Sequence, residues 1–276
     1  MRDVIVAYIP VIHRGYLDYF VSTGAKKIYA LQAADLPKFP QLVREVRALR
    51  IDELSSILLP LGYEVLPFSV FSEEDLPQGA RIHMPQDDVT RSLTFTREVV
   101  WGSWFLRWDW SKSIAVASVQ PDADRVIRKG DAEYEVVSRK MRMLLREADK
   151  SSDVWRQVGA RVDASDGRCI VAHNAHYPHE HISYMDGDPR DSFKPGEYIE
   201  ISTALHGEQA LIAMAARLGI SLEGADLYVT TFPCNSCAPW IVEAGFKRVF
   251  FMGGYSNLNG QKTLRDKEVE LIYVEM

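Results

Sequence analysis

The sequence predicts an α/β protein, and three observations carry that expectation. Short β-branched apolar runs alternate with stretches of helical periodicity over the first 70 residues, and the same alternation starts afresh after about residue 130. The length of 276 residues suits two ordinary domains better than one. Hydrophobic residues make up 47% and charged residues 25%, which leaves enough apolar side chains for a core in each half and argues against a disordered chain.

In the first half, residues 4–9 read as a strand, 16–22 as a helix closed by Gly24, and 27–31 as a second strand. Residues 41–61 read as a long helix ended by Gly62, and 63–68 as a third strand. This rhythm implies a Rossmann-like α/β layer with a largely parallel sheet, assigned to residues 1–125. Residues 85–97 open with acidic and turn-forming residues before turning helical. Their Asp87–Asp88 pair offers carboxylates to a magnesium ion or, with Asp88 as the candidate, a helix cap. Residues 100–110 hold four of the six tryptophans: Trp101, Trp104, Trp108 and Trp110. Such density argues for a core or a domain interface, with a base-stacking platform as the alternative.

A polar stretch, residues 120–129, marks the domain boundary, and the second domain is assigned to residues 126–276. Residues 131–151 read as a helix, with Tyr134, Val136, Val137, Met141, Met143 and Leu144 at helical spacing. A strand follows at 168–172, a long polar loop at 173–198, and a helix at 206–218 stopped by Gly219. Residues 227–230 read as a strand. Pro233 then sits where a helix would open, with Gly245 at its end, and 249–252 and 271–274 are further strands.

The formal net charge of -6 counts against broad attraction to nucleic acid or anionic membrane. No run reaches the roughly 18 apolar residues of a membrane span, and the first residues lack a secretory pattern, so a cytoplasmic protein is expected. Three cysteines do not make a disulfide framework. Cys234 and Cys237 form a C-x-x-C pair, a spacing that points to metal or redox chemistry in a reducing compartment.

Two short motifs carry the chemistry. His206-Gly207-Glu208 precedes Pro233-Cys234-Asn235-Ser236-Cys237 by about 25 residues, the H-x-E…P-C-x-x-C order of zinc deaminases. One imidazole and two thiolates give Zn2+ three protein ligands, His206, Cys234 and Cys237, and leave a position open for water. Placed on a first helical turn, both thiols would be favoured as thiolates by the helix dipole. Glu208 lies close enough to exchange protons with the activated water and substrate without being a ligand. The competing reading is a structural zinc with a fourth ligand. Cys169, the remaining cysteine, falls in a strand that reads as buried core.

With these residues in view, the chain from about residue 131 to 276 resembles the deoxycytidylate deaminase branch of the cytidine deaminase superfamily. The shared phrases are Trp-Arg-Gln-Val-Gly-Ala at 155–160, His-Gly-Glu-Gln at 206–209, Gly-Ala-Asp-Leu-Tyr-Val-Thr-Thr-Phe-Pro-Cys-Asn-Ser-Cys-Ala at 224–238, and Glu-Ala-Gly-Phe-Lys-Arg-Val at 243–249. The resemblance implies a mixed, roughly five-stranded sheet flanked by helices in an α/β/α domain, zinc on His206, Cys234 and Cys237, Glu208 as proton shuttle, and a homo-oligomer. It also implies that Asn174 binds the substrate sugar and that Arg156 helps hold a phosphate, a surface ion pair being the alternative for Arg156. Riboflavin-pathway deaminases carry a longer insert in the cysteine motif, and Gln209, Thr231 and Phe232 look more like the deoxycytidylate group than like transfer-RNA adenosine deaminases. Two features depart from the pattern. Gly207 stands where the family usually has alanine, and residues 173–181 contain His173, His176, His179 and His181, a loop that reads as a lid or a second metal site.

In the first half, His13 and Gly15 faintly resemble the H-x-G-H element of nucleotidylyltransferases, with Tyr16 in place of the second histidine. The alternative is that His13 is a turn residue of an ordinary Rossmann-like layer. The functional expectation is hydrolytic deamination of a small cytosine nucleotide such as dCMP. The alternatives are a nucleic-acid editing deaminase, or a nucleotide-sensing or bifunctional protein dominated by its first half.

Overall fold

The computed structural model describes residues 3–45, 47–69, 73–102, 119–153, 156–164, 166–186, 188–193 and 197–276. Contacts divide the chain into two units: residues 1–106 with 179–187, and residues 107–178 with 188–276. Trp104, Trp108, Trp110 and Trp155 lie outside the described residues. Among the described residues, no helix is long and apolar enough to cross a membrane.

The first unit is built on β1 (Asp3–Tyr8), α1 (Arg14–Thr23), β2 (Lys27–Leu31), α2 (Ile51–Leu58), β3 (Glu64–Phe68), β4 (Arg81–Pro85), α3 (Asp88–Arg91) and β5 (Val99–Gly102). All strand pairings are parallel, in the order β3-β2-β1-β4-β5. β1 is buried almost throughout, as a central parallel strand covered on both faces must be. Its period of two sorts the core. Ile5 and Ala7 pack with Tyr16, Phe20, Leu54 and Leu58 on one side, while Val4, Val6 and Tyr8 pack with Leu36, Leu42, Met84 and Val89 on the other. Each fully buried Leu, Ile or Phe contributes about 1.5–3 kcal/mol.

The helix expected at 41–61, the cap expected at Asp88 and the buried place expected for Trp101 differ in the structure. The long helix at 41–61 is a 3-10 turn (Pro40–Arg44), the short α2, and a second 3-10 turn (Leu59–Leu61). Donors that a continuous helix needs are taken elsewhere: Arg47 N–H donates to the Glu45 carboxylate at 2.8 Å and Leu49 N–H to the Pro10 carbonyl at 2.9 Å. The cap of α3 is Asp87 rather than Asp88; its Oδ1 accepts from Thr90 N–H at 2.7 Å. Trp101, on the outer strand β5, is 42% exposed.

The second unit contains β6 (Arg125–Ile127), α4 (Tyr134–Ala148), β7 (Gly159–Asp163), β8 (Cys169–His173) and β9 (Ala175–His176). A short α5 (Ile182–Met185) belongs to the first unit. Then come β10 (Ala204–Leu205), α6 (Gly207–Leu218), β11 (Asp226–Val229), α7 (Ala238–Glu243), β12 (Arg248–Phe251), α8 (Asn259–Asp266) and β13 (Glu270–Val274). The main sheet is mixed, ordered β6-β13-β12-β11-β7-β8, with β7 and β8 antiparallel. It has six strands rather than five, because the polar segment at 120–129 supplies β6, which pairs with β13.

Alternate residues of β11, β12 and β13 face opposite layers. Leu227, Val249 and Leu271 pack with Leu211 of α6, Ile241 of α7 and Leu264 of α8. Tyr228, Phe250 and Ile272 pack with Met141 and Leu144 of α4. The buried stripe of α4 is Val137, Met141, Leu144 and Ala148, whereas Val136 and Met143 are exposed. Gly159 lets α4 approach β7: a Cβ there would lie 2.4 Å from the Leu144 carbonyl oxygen. Cys169 opens the edge strand β8 opposite Asp163 and is exposed, not core, because an edge strand leaves its outer end open to solvent.

Candidate active site

The site lies at one end of the mixed sheet, where β8 and β11 deliver their last residues and α6 begins. His206 is the N-cap of α6, extended at φ -70° and ψ 152°, and its N–H donates to Gln209 Oε1 at 3.2 Å. The cysteines sit in a tight turn rather than in a helix opening at Pro233. Both Cys237 N–H (3.1 Å) and Ala238 N–H (3.0 Å) donate to the Cys234 carbonyl, Cys237 is the N-cap, and α7 starts at Ala238. Pro239 explains the shift, since a residue without an N–H is tolerated only in the first helical turn.

This turn brings the three expected ligands together. His206 Nδ1 lies 3.3 Å from both Cys234 Sγ and Cys237 Sγ. Zinc–nitrogen and zinc–sulfur bonds of about 2.0 and 2.3 Å set tetrahedral edges of about 3.5 Å, so the donor set fits zinc. Among the described residues, no fourth His, Cys, Asp or Glu joins the group. The Cys234 thiol is pushed down, first by its hydrogen bond with Cys237 and then by His206, against burial. The Cys237 thiol is pushed up by Cys234 and by burial. A divalent cation bound here would hold both sulfurs as thiolates.

Glu208 is buried at 4% exposure on the first turn of α6. Burial first, then the Cys234 thiolate, pushes its carboxyl up to about 7. A carboxyl with this value is matched to taking up and releasing a proton near neutral pH. Gly207 leaves room for the alanine usual in the family, since a Cβ there would meet its nearest atoms at ordinary contact distances of 3.4–3.6 Å.

These groups open on a pocket also lined by Asp153, Arg156, Asn174, Arg190 and Tyr255. Asn174 is almost fully buried and spends its amide in the fold. Oδ1 accepts from Val158 N–H (2.7 Å) and Ser151 Oγ (2.8 Å), while Nδ2 donates to Asp153 Oδ2 (2.9 Å) and the Arg156 carbonyl (2.8 Å). The Arg156 guanidinium lies over the Tyr255 ring, 4.7 Å from its centroid, and donates to the Gly254 carbonyl at 3.3 Å. Among the described residues it has no ion-paired carboxylate, and burial lowers its pKa.

The four loop histidines divide between the two units. His173 pairs with Glu147 at 2.8 Å, and His176 Nδ1 contacts Thr203 Oγ1 at 2.7 Å beside Asp188. Arg190 bridges Asp153 (3.0 Å) and Asp188 (3.0 Å), so a fixed cation already stands between the carboxylates of that cluster. His179 and His181 belong to the first unit. Asp153, Arg190 and Tyr255 also line the pocket, and no sequence motif singled them out. The one available signal was the Gly253-Gly254-Tyr255 turn following a strand, a common place for a ligand-facing loop in α/β sheets.

Residues 135–253 match the profile of the cytidine and deoxycytidylate deaminase zinc-binding region. Over this stretch, which holds His206, Glu208 and Cys234 with Cys237, the chain is similar to that family. An uncharacterized deaminase from the luxG 3′ region of Aliivibrio fischeri is 35% identical over 100 residues, covering 36% of this chain and 60% of that protein. The deoxycytidylate deaminase of enterobacteria phage T2 is 43% identical over 51 residues, 18% of this chain and 27% of that protein. The chain thus spans less than two thirds of the length of either relative. A crystal structure of dCMP deaminase from the cyanophage S-TIM5, in complex with dCMP and dUMP, aligns with a TM-score of 0.40 and 24% identity. It covers 50% of this chain and 96% of that one.

Proposed function

We propose that the deaminase domain replaces the amino group of a cytosine base with a carbonyl, on a free nucleotide of the deoxycytidine monophosphate kind. Water is consumed and ammonia released. The observation that carries this reading is the convergence of His206, Cys234 and Cys237 beside the buried carboxyl of Glu208.

Zinc, held by those three side chains, would supply Lewis-acid activation of water. Glu208 does the proton work. Its carboxylate accepts the proton of the attacking water, delivers it to the ring nitrogen, and then serves the departing amine. Arg156, free of a carboxylate partner among the described residues, meets the substrate phosphate. Asn174 fixes Asp153 and the Arg156 backbone. A hydrogen bond from it to the sugar would require exchanging one of its four internal bonds.

A free nucleotide is favoured over a polymer because the chain carries a net charge of -6, and strand binding relies on a basic footprint. Similarity to phage dCMP deaminase points the same way. The test is a panel of deoxycytidine, dCMP, dCTP, single-stranded DNA and transfer RNA, read by loss of cytosine absorbance or by base analysis. Turnover of dCMP above the polymers is expected; turnover of a polymer alone would overturn the assignment.

A further inference from the structure

The geometry points to a metal site in the first unit, formed by Asp87, Asp88 and His181 and suited to a divalent transition cation. One donor atom from each lies within 4.8 Å of the others. The side chains of Asp87 and His181 are fully buried.

Each carboxylate is anchored by one oxygen and presents the other. Asp87 Oδ1 accepts from Thr90 N–H (2.7 Å) and Thr90 Oγ1 (3.0 Å). Its Oδ2 is buried, has no hydrogen-bond partner among the described residues, and stands 3.5 Å from His181 Nε2. Asp88 Oδ2 accepts from Glu180 N–H at 3.2 Å, and its Oδ1 is likewise buried without a hydrogen-bond partner there. Capping α3 needs one oxygen of Asp87 and none of Asp88, so the cap does not account for the pair. Arg91 does not account for it either, because it is engaged by Glu180 at 3.1 Å and by the Gln86 carbonyl, and of the two carboxylates the His181 imidazole reaches only Asp87, at Oδ2. A buried carboxylate oxygen whose nearest polar contact is an imidazole nitrogen at 3.5 Å is under-satisfied, and a cation bound between them removes that cost.

Two further observations stand apart from the carboxylates. Tyr19, on a ring only 4% exposed, has a buried hydroxyl without a hydrogen-bond partner among the described residues. It lies within electrostatic reach of Asp87, whose charge adds to burial in raising its pKa. The cluster also follows the carboxyl end of β4, beside β1. There the strand order 3-2-1-4-5 reverses direction, and open parallel sheets place their ligands at this crevice. Two carboxylate oxygens with one imidazole nitrogen suit manganese or zinc better than the all-oxygen preference of calcium.

The test is Mn2+ titration of the full chain followed by electron paramagnetic resonance, with the deaminase zinc in place and again in the Cys234→Ser/Cys237→Ser chain. Expected are one Mn2+ per chain in both proteins and a 14N coupling from the histidine. His181→Gln should abolish that coupling, and Asp88→Asn should weaken binding by about tenfold or more. Absence of Mn2+ binding below millimolar concentration in the unmutated chain, a bound ion without nitrogen coupling, or affinity untouched by Asp88→Asn in a folded chain would overturn the assignment. The first two readouts need no variant of the cluster, so misfolding cannot shelter it.

Discussion

A methyl group added at Gly260 would lie 3.0 Å from the Cys234 carbonyl oxygen. That carbonyl accepts both hydrogen bonds of the cysteine turn, so the start of α8 presses directly on the backbone that aims the thiol. Gly260→Ala is therefore expected to displace the turn by a few tenths of an ångström. The expected cost is about 1 kcal/mol of stability, together with a several-fold loss of zinc affinity. Competition against a chromophoric chelator measures the affinity, and wild-type values for both quantities would show that α8 does not support the site.

Arg190 is the second support. It is 12% exposed and holds Asp153 and Asp188, which are buried at 3% and 1%. Arg190→Met keeps the bulk and removes the cation shared by two buried carboxylates, at an expected cost of about 3 kcal/mol. Chemical denaturation reads this cost. Adding Asp188→Asn to Arg190→Met should restore part of it; a pair of changes no better than Arg190→Met alone would contradict the bridging role.

Glu147 gives the fold an acid-sensitive element. Burial opposes its ionisation, but hydrogen bonds from His173 and Lys150 prevail and hold the carboxyl at about 2, below the ordinary 4.5. A depressed folded value means that the stabilisation is complete above pH 4.5 and is lost as pH falls from 4.5 through about 2. Glu147→Gln should lower stability at pH 7 by about 1–3 kcal/mol and flatten the acid limb in that window. Parallel stability–pH curves for the two proteins would refute this.

Much of the site was legible because its chemistry demands particular residue types at short spacing. The His206, Glu208, Cys234 and Cys237 motifs predicted a cluster that the fold brings together. The helix assignment around Cys234 failed because Pro233 and Pro239 both suit a first turn, and only the carbonyl acceptor at Cys234 decides between them. β7 was not announced, since Gly159, Arg161 and Asp163 interrupt its two apolar residues and its pairing with β8 and β11 is long-range. The long helix expected at 41–61 broke because its donors find partners such as the Pro10 carbonyl, a contact invisible to local periodicity. Arg190 and Gly260 matter only through neighbours distant in sequence, and no motif marks them.

The most direct test replaces Glu208 with Gln and measures metal content and dCMP turnover on the same preparation. The predicted result is one zinc per chain, as in the unmutated protein, with deamination reduced by about 10²–10⁴-fold or more. Undiminished turnover would contradict the role given to this carboxyl, and loss of the zinc would show that Glu208 holds the metal rather than moves the proton.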